Sequence, residues 1–198
     1  MQTIISAIKE VLSGTWPMIL LTISVCCIMR IAYLIKNKQK FLISNEIMTL
    51  AFIVYILCMF QIVTNNDVSG VHGVNITLFK ELTRYQIGSR LFYRNIIGNI
   101  ILFVPFGFFV SYYLKLERKS FIFFVTLVVS IIIELIQLKI GRAFDVDDII
   151  LNIVGGILGY FLYRIVDKIF SRSSEGFKGA IVVVAVLTGL VFLALMFV

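Results

Sequence analysis

Residues 141–159 read GRAFDVDDIILNIVGGILG, and this stretch decides the fold that the sequence predicts. Four charged residues stand directly before an apolar run, and they are Arg142, Asp145, Asp147 and Asp148. The run itself carries Asn152 and three glycines. So many charges beside a membrane-spanning helix cost free energy unless they pair with one another or take part in a functional site. The stretch therefore predicts a transmembrane helix that begins beside one polar site.

The composition of the whole chain indicates an integral membrane protein. Of its 198 residues 60% are hydrophobic and 15% are charged, and the mean hydropathy is +1.03. The apolar residues form uninterrupted blocks about as long as the roughly 20 residues that cross a bilayer as a helix. We expect an all-α, polytopic bundle of five to six transmembrane helices, with six favoured, in a single domain over residues 1–198.

Six apolar runs can be placed along the chain. The third to fifth runs cover about 95–114, 120–140 and 148–166, and the motif core, residues 95–160, contains the first two of these and most of the last. The peripheral runs cover about 16–35, 42–63 and 179–198.

Lysines and arginines predict the orientation of these spans. Eleven of the eighteen fall on the side of residues 36–40 and 115–119, and seven fall on the other side. Since basic residues are enriched on the cytoplasmic side, we expect both termini and the loop at 141–147 to lie outside.

Polar side chains recur every three or four residues within the third to fifth spans, so each set lines one helix face. The three sets are Asn95 and Asn99; Ser130, Glu134 and Gln137; and Asp148 and Asn152. At a rise of about 1.5 Å per residue, they lie at similar depths below the ends of their spans that share one membrane face. We therefore expect one polar pocket just beneath the outer surface, covered by the loop at 141–148. The predicted binding residues are Asn95, Asn99, Glu134, Gln137, Arg142, Asp145, Asp147, Asp148 and Asn152.

Most of these residues also have a purely structural interpretation. The asparagines can hydrogen-bond one helix to the next, and the glycines of the fifth span can let helices approach closely. Arg142 can close the loop by an ion pair with Asp145 or Asp147. Glu134 and Asp148 differ, because an ionisable group in a span is a functional candidate by default. They are also the candidate catalytic residues.

We expect no metal, cofactor or nucleic acid. His72 is the only histidine and has no ligand residues near it in sequence, whereas metal sites need three or four ligands. The net charge of +7 is not gathered into a basic stripe on a polar domain. The three cysteines lie inside apolar runs and form neither a CxxC pair nor a disulfide framework.

Four ordered motifs in residues 95–160 resemble the VanZ-like family, which is named for a protein associated with resistance to the glycopeptide antibiotic teicoplanin. They are Asn95-x-x-Gly98-Asn99, Phe103-x-Pro105-x-Gly107, Ser130-x-x-x-Glu134-x-x-Gln137 and Gly141-Arg142-x-x-Asp145-x-Asp147-Asp148-x-x-x-Asn152-x-x-Gly155-Gly156-x-x-Gly159. Residues 75–79, NITLF, also resemble the asparagine–proline–phenylalanine segment often found ahead of these motifs, although the proline is absent. The resemblance implies a multi-pass protein of the bacterial cell membrane that lowers sensitivity to teicoplanin or lipoglycopeptides.

Three functions are compatible with this reading. The first, which we favour, is a membrane factor whose polar pocket binds a glycopeptide antibiotic, a lipid-linked cell-wall precursor or a lipid headgroup. Its carboxylates would attract cationic or hydroxyl-rich groups, and Arg142 would hold a phosphate or carboxylate. The second is an enzyme that modifies a lipid-linked substrate, with Glu134 and Asp148 as acid and base or as ligands of Mg²⁺ or Ca²⁺. The third is a lipid flippase or small transporter, although no inverted repeat is visible.

Overall fold

The computed structural model describes residues 2–37, 43–64 and 73–169. These residues fall into two compact units, the first within residues 1–62 and the second within residues 63–169. Both units are predominantly helical.

The first unit contains α1 (Gln2–Asn37) and α2 (Ile43–Thr64), except for the last two residues of α2. The two helices cover the first and second predicted spans. An ion pair joins them, because Arg30 Nε donates to the two carboxylate oxygens of Glu46 at 3.0 and 2.9 Å. The apolar stretches within these helices, Leu20–Leu34 and Met48–Thr64, are shorter than those of the second unit.

The second unit contains three helices that are long and apolar enough to cross a membrane: Arg90–Leu114, Lys119–Lys139 and Val146–Ile169. The first of them is continuous through α4 (Arg90–Phe92), a π-helical segment (Tyr93–Ile97) and α5 (Gly98–Leu114). The other two are α6 (Lys119–Lys139) and α7 (Val146–Ile169). The third to fifth predicted spans are thus confirmed as membrane-length helices. The sixth, residues 179–198, lies outside the described residues, so the count of six stays a prediction.

A short parallel β pair interrupts the otherwise helical second unit, which the all-α prediction did not include. β1 (Val74–Asn75) pairs with β2 (Phe144–Asp145), and α3 (Lys80–Arg84) follows β1. β2 immediately precedes α7. The loops before α4 and before α7 therefore lie at the same end of the helices, as the predicted topology requires.

Glycines allow α5 and α7 to pack with their backbones in contact. A Cβ atom added at Gly155 would collide with the carbonyl oxygen of Ile100, and one added at Gly159 would collide with that of Val104. These contacts confirm the packing role predicted for small residues between membrane helices. They also show that α5 and α7 run parallel, so both begin at the end of the unit where α6 stops.

Candidate functional site

Buried Glu134 on α6 holds the loop that leads into α7. Only 1% of Glu134 is exposed, and its Oε2 accepts the backbone N–H of Asp145 at 2.8 Å. The amide of Gln137, in the orientation that satisfies both of its neighbours, donates to Glu134 Oε1 and accepts from Arg142 Nη1, each at 3.0 Å. Arg142 Nη1 also lies 3.3 Å from the carbonyl oxygen of Val63, which accepts a hydrogen bond from it. Glu134, Gln137, Arg142 and Asp145 thus belong to one continuous hydrogen-bond network.

Two buried aspartates attach residues 73–79, which we call the strap, to the same loop. Asp145 Oδ2 accepts from Asn75 Nδ2 at 2.9 Å, and Asp147 Oδ1 accepts the backbone N–H of Phe79 at 2.6 Å. Asp145 Oδ1 also accepts the backbone N–H of Asp147 at 2.8 Å. Asp145 is 7% exposed and Asp147 is fully buried. Both carboxylates therefore serve contacts within the protein.

Below the loop, α7 connects the polar stripes of the other two helices. Asp148 Oδ1 accepts from Asn99 Nδ2 of α5 at 2.6 Å. One turn further along, Asn152 Nδ2 donates to Ser130 Oγ of α6 at 2.8 Å. The three stripes that the sequence places at one depth are therefore in contact.

Two buried oxygens in this part of the molecule have unused hydrogen-bonding capacity. Within the ranges that the structure describes, neither Thr126 Oγ1 nor Asn152 Oδ1 has a hydrogen-bond partner. Thr126 packs against Gly156, one turn below Asn152 on α7. Since buried polar atoms are normally satisfied, these two acceptors are suited to a water molecule or a hydroxyl group.

The remaining predicted residues lie at the edge of the network. Arg142, Asp148, Asn95 and Asn99 are partly exposed. Asn95 lies in the π-helical segment, outside the hydrogen-bond network described above, and π-helical turns are common at functional sites. The edge thus presents one guanidinium and one carboxylate beside amide groups, a set that suits a ligand carrying both a phosphate or carboxylate and hydroxyl or ammonium groups.

The prediction missed the strap as part of the site. Asn75 and the backbone of Phe79 contact the two buried aspartates, although neither was among the predicted residues. The available signal was the likeness of residues 75–79 to a segment that precedes the other motifs. Ser130 was placed on the correct helix face but was not counted among the binding residues.

Among residues 2–37, 43–64 and 73–169, no three His, Cys, Asp or Glu side chains are grouped so that they could hold a metal ion. His72 lies outside these ranges.

Comparisons with known proteins agree with the sequence motifs. A family model described as VanZ/LLP1 matches residues 47–167. Protein VanZ of Enterococcus faecium is 39% identical over 82 residues, which cover 38% of this chain and 48% of that protein. The chain therefore spans about half the length of the curated relative it matches. No solved structure matches the chain. Because the family model covers more than half of its residues, the protein belongs to the VanZ/LLP1 family.

Proposed function

We propose that this protein acts in the bacterial cell membrane and lowers sensitivity to teicoplanin and related lipoglycopeptides by binding a ligand at the polar end of α5, α6 and α7. The observation that carries the binding part is the partial exposure of Arg142 and Asp148 at the edge of a network in which the carboxylates of Glu134, Asp145 and Asp147 are buried. The link to glycopeptides rests on the VanZ-like motifs and on family membership.

The proposal assigns different roles to the buried and the exposed residues. Glu134, Asp145 and Asp147 are positioning residues, since their carboxylates accept hydrogen bonds from the loop and the strap. Arg142 is the group that holds a phosphate or carboxylate, because a guanidinium binds such groups with paired hydrogen bonds. Asp148 is the group that accepts hydrogen bonds from hydroxyl or ammonium groups.

A lipid-linked cell-wall precursor best combines the features that this edge could recognise. It carries phosphate and many hydroxyl groups, and its lipid chain keeps it in the membrane beside the apolar helices. A phospholipid headgroup shares the phosphate, and the antibiotic shares the hydroxyl-rich sugars and carboxylate. Binding measured separately with each of these three compounds would distinguish them.

The same proposal has six membrane spans, one for each apolar run. It puts the polar end and both termini outside the cell on the basis of the eleven-to-seven distribution of basic residues. Ala143→Cys and Ser120→Cys, each in a background without the three native cysteines, are expected to react oppositely with a membrane-impermeant thiol reagent on intact cells. Ala143 lies in the loop before α7, and Ser120 lies in the first turn of α6, at the other end of that helix. Labelling at Ser120 with protection at Ala143 would invert the orientation.

The functional test is expression in a teicoplanin-susceptible host. We expect teicoplanin sensitivity to fall in proportion to protein abundance, because each copy of a binding protein occupies one ligand. Mass spectrometry of the lipids and the drug should show no new species. The alternative is an enzyme that modifies a lipid-linked substrate, because Glu134 is a buried acid of the kind that can transfer protons. A product that appears with the wild type and is lost in Glu134→Gln would establish that alternative and reject the binding proposal.

A further inference from the structure

The segment from the strap to the first residues of α4 exposes large apolar side chains, although nearly all of it lies outside the membrane-length helices. Val74 is 61% exposed, Ile76 73% and Ile87 84%. Leu78 and Phe79 are also more than half exposed. An exposed apolar cluster of this kind marks a surface that binds a membrane or another protein. We propose that residues 73–91, the interfacial segment, insert these side chains into the headgroup region of a lipid leaflet that contains anionic lipids.

The backbone of the strap is held so that its apolar side chains face outward. β1 is extended, and successive side chains of an extended chain point to opposite sides. Asn75 points inward to Asp145, so its neighbours Val74 and Ile76 point away from the protein. The Asn75 side chain also accepts the backbone N–H of Thr77 at 3.3 Å, which fixes the turn that follows.

The backbone of Phe79 shows that the hydrogen bonds of the candidate functional site hold these apolar side chains outward. Its φ is +64°, a left-handed conformation that is unusual for a bulky residue. The hydrogen bond from its backbone N–H to the buried carboxylate of Asp147 holds it there. Its ring remains more than half exposed. The protein therefore uses a buried carboxylate to keep an aromatic ring outside its own core.

The net positive charge of the interfacial segment favours a lipid leaflet as its binding partner, and in particular a leaflet that contains anionic lipids. Residues 73–91 contain three basic residues and one acidic residue. Lys80 and Arg90 are exposed beside the apolar side chains. Segments that combine apolar and basic residues bind at the boundary between headgroups and acyl chains, and basic residues add attraction to anionic lipids. The segment lies at the same end as the loop before α7, so its insertion would set the depth of Arg142 and Asp148 at the headgroups.

The test uses the full-length protein in nanodiscs, with Trp16→Phe and a single new tryptophan from Ile76→Trp. We expect its fluorescence to be quenched most by lipids brominated near the headgroup and to be shielded from aqueous acrylamide. The matched control is Ile132→Trp in the middle of α6, which is 50% exposed and should be quenched most by lipids brominated deep in the chains. Elution of each variant as a single folded species is required first, and Leu78→Trp replaces Ile76→Trp if the latter fails this requirement.

The anionic component is tested in the same variant by comparing nanodiscs of phosphatidylcholine with nanodiscs that also contain phosphatidylglycerol. Lys80→Gln with Arg90→Gln should reduce the additional quenching seen with phosphatidylglycerol and leave that in phosphatidylcholine unchanged. Quenching by acrylamide without quenching by brominated lipids would overturn the proposal, as would shielding from both, which would indicate a protein partner or a second copy. An unchanged response after the double substitution would overturn the anionic component. The proposal does not depend on the antibiotic function, so loss of teicoplanin protection alone leaves this measurement unaffected.

Discussion

Glu134→Gln is expected to release the loop before α7 from α6 and to return the teicoplanin sensitivity of expressing cells to that of cells without the protein. The carboxylate accepts hydrogen bonds from the backbone of Asp145 and from the amide of Gln137. A glutamine at this position would turn an NH₂ group toward one of these donors. Because both donors are buried with it, no water can replace the lost acceptor.

The size of the effect follows from these two contacts. A hydrogen bond to a charged group contributes about 1.5–3 kcal/mol to stability, and about 1.4 kcal/mol corresponds to a factor of ten in an equilibrium. The equilibrium between the docked and released loop should therefore shift by at least about tenfold for each bond lost. The thiol reaction rate of Ala143→Cys reports this shift directly.

The matched control is Glu117→Gln, which makes the same chemical change on an exposed side chain just before α6. It should leave both the thiol reaction rate and the protection unchanged, because the side chain is exposed and the hydrogen bond from Tyr160 goes to the backbone carbonyl of Glu117. Membrane abundance is measured for every variant by immunoblot. A Glu134→Gln protein with an unchanged reaction rate and full protection would show that the buried carboxylate does not hold the loop.

The helices and the meeting of the polar stripes were predictable because both depend on periodicity along single helices. Glu134 and Ser130 are one turn apart on α6, as are Asp148 and Asn152 on α7, so the face and the depth of each could be derived from the sequence alone. Close packing at Gly155 was predictable for the same reason, since small residues in membrane helices are usually placed at helix contacts.

The strap was not predictable by this reasoning, because its contacts join residues far apart in sequence. Asn75 and Asp145 are separated by 70 positions, and β1 is only two residues long, too short to carry a periodic signal. The sequence also could not determine where the carboxylates of Asp145 and Asp147 point. Their predicted role in binding a ligand stays a prediction, and the fold adds contacts to backbone and amide donors of the strap and the loop.

Asp148→Asn is expected to abolish protection while leaving the loop docked and the protein folded. Asp148 is partly exposed, and an amide oxygen in its place can still accept the hydrogen bond from Asn99. The residue lies in the first turn of α7, where a negative charge contributes only about 0.3–1 kcal/mol through the helix dipole. The glycine contacts between α5 and α7 are unchanged by the substitution. Asp148→Asn should therefore change the free energy of unfolding only slightly.

The cost to ligand binding should be much larger. A hydrogen bond from a ligand to the carboxylate contributes about 1.5–3 kcal/mol, so its loss should weaken binding about ten- to a hundredfold. Binding is measured with purified protein and a lipid-linked cell-wall precursor, and teicoplanin sensitivity is measured at matched abundance. The control is Asp167→Asn, which removes an exposed carboxylate near the opposite end of α7 and should change neither quantity.

The thiol reaction rate of Ala143→Cys distinguishes the two acidic residues. If Asp148 faces the ligand, Asp148→Asn lowers binding and protection while the thiol reaction rate stays at the wild-type value. Glu134→Gln instead raises the thiol reaction rate and lowers both binding and protection. An Asp148→Asn protein whose loop is released like that of Glu134→Gln would show that Asp148 holds the fold. An Asp148→Asn protein that binds and protects normally would show that the ligand does not use this carboxylate. In either case Asp148 would not contact the ligand, and the proposal that the ligand is recognised through the charges of both Arg142 and Asp148 would be wrong.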